Sequence, residues 1–450
     1  MGRFTQGLGL SICLSIASTP VFADDLVSIL DLAMRNDPAL RQSQAQYNSG
    51  TTFIDQGRAA LLPTVALRGS TTRQTSDTAG DFSYKPGQNS HAYSLNITQA
   101  IFNLGAWYSY ESAKLQVRAG AITLAAQEQN LIIRVASAYF NVLRAIDDLS
   151  TLRQEEEASQ RQFEQTEQRE EVGLIAITEV YESQAAYDLA RNNTIIAEDT
   201  LATAYEALEA ITGQPHPNID VLREDFPAVS VDGSVQTWTQ QALDTNLSLI
   251  AARYNLEAEQ QNLKASKAQH LPTISATGSF NRNVSPGGAS AEGALRSSGA
   301  IDGSSLSLSI NIPLFTGGGT SARRRAAEYD VIAQQEALNL TRRQTTQDVR
   351  NAFRKVNTDA LVIAQRQQAI TSARSALEAI EVGYEVGTRN IVDVLQARQQ
   401  LFVALRNYSD SRYNYVVDSL LLKQVTGLLT PQDIIDLNEW LETETANAAP

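Results

Sequence analysis

The chain has 450 residues, a formal net charge of −14 and one cysteine, Cys13. An acidic chain with no long Lys/Arg-rich run does not bind nucleic acid through a basic surface. With its only cysteine inside a leader expected to be removed, the mature chain has no disulfide and no thiolate metal site.

Arg3, the apolar run Leu8 to Ala17 and the small-residue exit Val21-Phe22-Ala23 form the layout of a secretory signal peptide, cleaved after Ala23. Bulky Ile12 before Cys13 argues against a lipid anchor. No apolar run in the mature chain reaches the length of a membrane helix, so membrane insertion would have to use strands.

Leu26 to Leu62 reads as helix, with a break and restart at Asp37-Pro38 and an end at Leu62-Pro63-Thr64. Val65, Leu67 and Gly69 alternate weakly, and a turn-rich loop follows from Ser76 to Gly87. Tyr93, Leu95 and Ile97 then alternate with Ser94, Asn96 and Thr98. The pattern is a hairpin of two strands of about ten residues, long enough to cross an outer membrane when tilted. From Ala106 a helix begins, and no Gly or Pro lies between Gly120 and Gly173. Leu131, Val135, Ala138, Val142, Ala145, Leu149 and Leu152 alternate in steps of four and three, a coiled-coil seam. About 65 helical residues make a rod of about 100 Å. After a turn at Gly173, a second helix runs to Gly213.

The second half repeats this programme. Thr237 to Leu271 reads as helix, and Leu271-Pro272-Thr273 copies Leu62-Pro63-Thr64. Ile274, Ala276, Gly278 and Phe280 alternate, a Gly/Ser/Ala loop spans Ser285 to Gly303, and Leu306, Leu308, Ile310 and Ile312 alternate again. Gly317-Gly318-Gly319 marks the bend from strand to helix. A second seam runs from Val349 to Tyr384. Gly173 matches Gly387, Ile177 matches Ile391 and Glu179 matches Asp393, all at a separation of 214 positions. A shared separation over helix-turn-helix punctuation marks an internal duplication. The expected divisions are a signal peptide over 1–23, a first repeat over 24–215, a linker over 216–236, a second repeat over 237–430 and a tail over 431–450.

The fold class is therefore mainly α with a small β part, four strands per chain. Four strands cannot close a barrel, and open sheet edges cannot sit in lipid, so the strands require other copies of the chain. Three copies, giving twelve strands, leave a lumen; the arithmetic also permits two or four. A structural or adhesive trimeric coiled coil with a membrane anchor is the alternative. It leaves the two hairpins and the duplicated turns unexplained.

The segments Thr98-Gln99-Ala100-Ile101-Phe102, Asn311-Ile312-Pro313-Leu314-Phe315-Thr316-Gly317-Gly318, Val172 to Glu179 and Tyr384 to Val394 resemble the TolC family, from Leu26 to the tail Asp433 to Asn438. The resemblance implies a homotrimeric Gram-negative outer-membrane channel for efflux or type I secretion. Its twelve-stranded β-barrel would continue as an α-barrel through the periplasm. Implied partners are a periplasmic adaptor (membrane fusion) protein, an inner-membrane pump or ABC exporter, and outer-membrane lipid. It implies no cofactor and no catalysis.

By the same resemblance, Asp393 and Gln396 occupy two positions of a periplasmic constriction ring, both acidic in TolC, so Gln396 leaves one acidic ring. Tyr384 with Glu179, Arg389 with Thr178, and Glu381 with Gln162 occupy positions of links that hold the tip shut. Capping is the simpler reading for Thr178 and Glu179, and a solvated first-turn acid for Asp393. His91, His216 and His270 have no metal-ligand spacing and suit surface or capping roles. Glu155-Glu156-Glu157 reads as a solvated helix face, and Trp107, Tyr108 and Tyr110 as an aromatic girdle or as packing below the strands.

Overall fold

The computed structural model describes residues 25–74, 88–285, 288–289, 295–296 and 299–442. The expected signal peptide with Cys13, the whole Ser76–Gly87 loop, parts of the second loop and the last residues of the tail lie outside the described residues.

In the first half, α1 (Leu26–Asn36) and α2 (Pro38–Ala59) lead into β1 (Thr64–Gln74), and β2 (Gln88–Phe102) leads into α3 (Leu104–Glu171) and then α4 (Ile177–Thr212). A two-residue strand, β3 (Val221–Leu222), follows. In the second half, α5 (Val235–Thr245) and α6 (Leu247–Ala268) lead into β4 (Thr273–Ser285). A short pair, β5 (Gly288–Ala289) and β6 (Leu295–Arg296), precedes β7 (Gly299–Asn311). The chain continues through α7 (Gly319–Glu385), α8 (Ile391–Thr426), α9 (Pro431–Asn438) and β8 (Leu441–Glu442).

β1, β2, β4 and β7 form one antiparallel sheet in that order. The helices inherit the order, because each is the direct continuation of a strand: α2 packs on α3, α3 on α6, and α6 on α7. α3 pairs with α4 and α7 with α8 as two long hairpins, joined where α3 meets α8. The 68 residues of α3 span about 100 Å, so the strands and the helix turns lie at opposite ends.

All seven seam residues of α3 are buried. In the second seam Val349, Val356, Ile363 and Leu377 are buried, while Phe353, Ala360, Ile380 and Tyr384 are half-buried against them. The largest core gathers midway along the helices, where Leu26, Ile29, Tyr139, Phe140, Leu143, Tyr413 and Val416 pack together. Here Asp37, at the break between α1 and α2, caps α2 through the Leu40 amide and receives both Arg134 Nη atoms at 2.9–3.0 Å. Burial opposes its ionisation, but the hydrogen bonds and charge of Arg134 together with the backbone amides at the start of α2 outweigh that and hold the carboxyl below its ordinary range.

The structure differs from the sequence reading in several places. The helix expected over Thr237–Leu271 is broken between α5 and α6 at Asn246, whose side chain caps Leu249 N at 2.9 Å and donates to Val425 O at 2.9 Å. No proline signals this break; the partner is a distant helix end. Residues 299–303, expected in a loop, are the start of β7, because Ile301 and Gly303 continue the ladder with β4. β3, within the expected linker, pairs with β8 of the tail. His216 is buried and hydrogen bonded to Thr212 Oγ1 at 2.8 Å, and Glu155 is half-buried, its carboxyl pushed up by burial.

Candidate functional site

Two features of this fold stand out among the described residues: an exposed apolar sheet face and, at the far end, the paired helix tips. Register places Val65, Leu67, Leu95, Ile97, Phe280, Leu306, Leu308 and Ile310 on one face of the sheet. All are exposed, Leu306 at 85% and Leu67 at 78%. The opposite face carries Ser94, Asn96, Ser279, Asn281 and Ser305, with Ser279 and Ser305 hydroxyls 2.8 Å apart. A sheet in water turns its apolar face to a core; this one turns it outward, as a membrane barrel does. β1 and β7 are edge strands, each with a neighbour on one side only among the described residues. Below the sheet, Trp107 lies edge-on to Tyr110 at 6.2 Å, and Lys264 of α6 sits over the Tyr108 ring.

At the other end, both hairpins turn by the same motif. α3 stops at Val172; Gly173 takes φ +76°, its amide donates to Glu170 O at 2.7 Å, and Leu174 N donates to Arg169 O at 2.9 Å. α7 stops at Val386; Gly387 takes φ +78°, its amide donates to Tyr384 O at 3.0 Å, and Thr388 N donates to Gly383 O at 2.8 Å. This is a Schellman ending, whose left-handed residue favours glycine at both positions.

The restarts differ. α8 opens with a reciprocal capping box: Asp393 N donates to Asn390 Oδ1 at 2.9 Å, and Asn390 N to Asp393 Oδ2 at 3.4 Å. α4 opens at Ala176 with no side-chain cap. Glu179 instead accepts from the Tyr384 hydroxyl at 2.9 Å, joining the end of α7 to the start of α4. Burial and the Glu179 carboxylate push the Tyr384 phenol up, which keeps it a donor at neutral pH. Arg169 lies 5.7 Å from the centre of its ring.

The structure thus brings Tyr384 and Glu179 together within one chain. It does not bring Arg389 to Thr178: Arg389 Nη1 lies 3.9 Å from Asp393 Oδ2, and Thr178 is exposed. Asp393 is half-exposed, and Gln396, one turn further on, is exposed. Gln162 and Glu381 do not bond to each other. Both bond to Arg398, whose Nη2 reaches Glu381 Oε1 at 2.9 Å and Gln162 Oε1 at 3.4 Å, and whose Nη1 donates to Ala158 O at 3.1 Å. Arg398 was missed by the sequence reading, yet it has a signal. Ile391, Val394, Arg398 and Leu401 fall at steps of three, four and three, so a cation stands on an otherwise apolar seam.

The sequence matches known proteins over nearly its whole length. A profile of outer membrane efflux proteins matches twice, over residues 29–214 and 238–428. The chain is 36% identical over 438 residues to the outer membrane protein TolC of Vibrio cholerae, covering 97% of this chain and 98% of that one. It is 33% identical to TolC of Escherichia coli, covering 99% of this chain and 90% of that one. The alkaline protease secretion protein AprF of Pseudomonas aeruginosa is 27% identical, with 92% and 86% covered. Among solved structures, CusC superposes with a TM-score of 0.78 at 19% identity, covering 90% of this chain and 93% of that one. The outer membrane protein VceC of Vibrio cholerae gives 0.74 at 20%, with 89% and 96% covered. The chain belongs to the outer membrane efflux protein family, passive channels of the outer membrane rather than enzymes.

Proposed function

We propose that three copies of this chain form the exit duct of a tripartite efflux or type I secretion system. The observation that carries the reading is the four-stranded sheet with an apolar outer face, a polar inner face and two free edges. β1 of one copy pairs with β7 of the next, which satisfies edge groups that lipid would leave without partners. Twelve strands then enclose a polar lumen, and the repeats over 24–215 and 237–430 each supply one strand hairpin and one helical hairpin per copy. Outer-membrane lipid meets the apolar face. The helices carry the duct about 100 Å into the periplasm.

At the tip, the six helix pairs converge on one axis. Asp393 and Gln396 line the constriction, and the acid attracts cations and repels anions. Arg389, one turn before Asp393, offsets part of that charge. The Tyr384–Glu179 contact holds the tip closed, and Arg389 meets Thr178 across the boundary between copies. Each such link is weak enough for a partner to break. A periplasmic adaptor engages the exposed turns around Gly173 and Gly387, and an inner-membrane pump or ABC exporter supplies the energy. Cargo is a small solute or an unfolded polypeptide.

The test is purification followed by single-channel recording in planar bilayers, with cross-linking to count copies. SDS-resistant trimers that conduct ions are expected. A protein that forms neither trimers nor pores would end the reading, and trimers that never conduct would favour the adhesive coiled coil.

A further inference from the structure

We propose that Arg398 is a latch between the two helical hairpins, built so that its charge stays paired whether the tip is closed or open. The proposal rests on the reading of the tip as a gate. It assigns to Arg398 a positioning role.

The guanidinium sits about 10 Å above the start of α8, seven residues past Ile391. Its side chain is 14% exposed, in line with the apolar residues Val394 and Leu401. A cation so placed is costly unless its hydrogen bonds and its charge are both answered. The answers come from two different bodies. Glu381 belongs to α7, the partner of α8 within the second hairpin, and supplies the counter-charge at 2.9 Å. The Ala158 carbonyl and the buried Gln162 belong to α3, in the first hairpin, and supply neutral acceptors at 3.1 and 3.4 Å.

This division has a mechanical meaning. If the α7–α8 hairpin swings away from α3, Arg398 travels with Glu381. The ion pair survives the motion, and only the two bonds to α3 break. Those acceptors carry no net charge, and water can replace them on the opened side. The latch therefore adds resistance to opening without stranding a buried charge in the open state. Were the counter-ion on α3 instead, opening would separate a partly buried ion pair, a far larger cost. Glu381 is the permanent partner; Ala158 O and Gln162 are the releasable ones.

Charge-assisted hydrogen bonds of this kind shift an equilibrium by about tenfold. The experiment compares R398Q, E381Q and Y384F by single-channel conductance, and by the temperature at which the SDS-resistant trimer dissociates. R398Q is expected to raise the open-to-closed ratio by about tenfold per protomer. E381Q leaves the bonds to α3 in place and removes a counter-ion needed in both states, so it is expected to lower the dissociation temperature while shifting gating far less. Equal gating shifts in R398Q and E381Q would overturn the division of labour. Unchanged gating in R398Q, with Y384F opening the channel, would overturn the latch and leave the gate standing. Unchanged gating in all three would remove the gate reading and the latch with it. If R398Q does not assemble, Q162L removes one releasable acceptor and keeps Arg398. A smaller shift toward the open state then supports the latch, and none overturns it.

Discussion

Replacing Gly427 by alanine probes how the second repeat is locked at mid-length, and Gly213 supplies an internal control. The two glycines close α8 and α4, with φ of +75° and +78°. Alanine in this conformation costs about 1 kcal/mol at either site. The surroundings separate them. A Cβ on Gly213 meets only Asn36 Cβ, at 3.9 Å, which is ordinary contact. A Cβ on Gly427 would fall on the Thr245 carbonyl oxygen, with the Thr245 carbonyl carbon at 2.7 Å and Asn246 Cα at 3.1 Å. These are backbone atoms and cannot rotate away. The end of α8 and the α5–α6 junction must part by about 1 Å to restore ordinary contact. That strains the bonds from Thr245 Oγ1 to Thr426 O at 2.6 Å and from Asn246 Nδ2 to Val425 O at 2.9 Å. At about 1 kcal/mol for each hydrogen bond, G427A loses about 3 kcal/mol where G213A loses about 1. Thermal unfolding followed by circular dichroism in detergent reads the difference: the drop in midpoint for G427A should be about three times that for G213A. Equal drops would refute the argument from close approach and leave backbone conformation as the whole effect.

Y384F deletes the hydroxyl that donates to Glu179 and is expected to raise open-channel occupancy, read in bilayers or as increased uptake of a large antibiotic; unaltered occupancy would remove this contact from the gate. Q396D adds an acid one turn beyond Asp393 and should strengthen block by divalent cations, whereas unchanged block would count against the ring placement. Asp148 is raised to about 6, by burial first and then by Asp410, against the opposing Arg406 and Arg144. Its neutral form is the one the fold favours, so its contribution to stability is complete below the ordinary carboxylate range and is lost as pH rises through about 6. D148N should therefore gain stability relative to wild type as pH rises across that window, by about 1 kcal/mol after allowing for solvent at the half-buried site. Unfolding midpoints for the two proteins that run parallel with pH would refute the assignment.

The tip shows which residues can be read without coordinates. Gly173 and Gly387 are legible because a Schellman ending needs a left-handed residue, and that need is local. Asp393 is legible for a similar reason: Asn390 three residues earlier makes a capping box visible in four letters. Tyr384 and Glu179 are 205 positions apart, and no local rule pairs them. Their contact was anticipated through resemblance to a family, and only the meeting of the two helical hairpins creates it. Gln162 and Glu381 show the limit of such transfer: Arg398 stands between them.

By itself the sequence determined the periodic features: the heptad seam of α3, the alternating strands, the repeated turn and the duplication that relates the halves. Each is set by backbone geometry over a few residues, so the letters alone carry it. The tertiary structure decided what depends on which surfaces meet. It split α5 from α6 at Asn246, because Val425 offers that side chain an acceptor. It joined the linker to the tail through β3 and β8. It put a guanidinium where two hairpins touch and divided its partners between them. Hydrogen-bond partners hundreds of residues apart leave no period in the sequence, and a buried cation can be interpreted only once its acceptors are known.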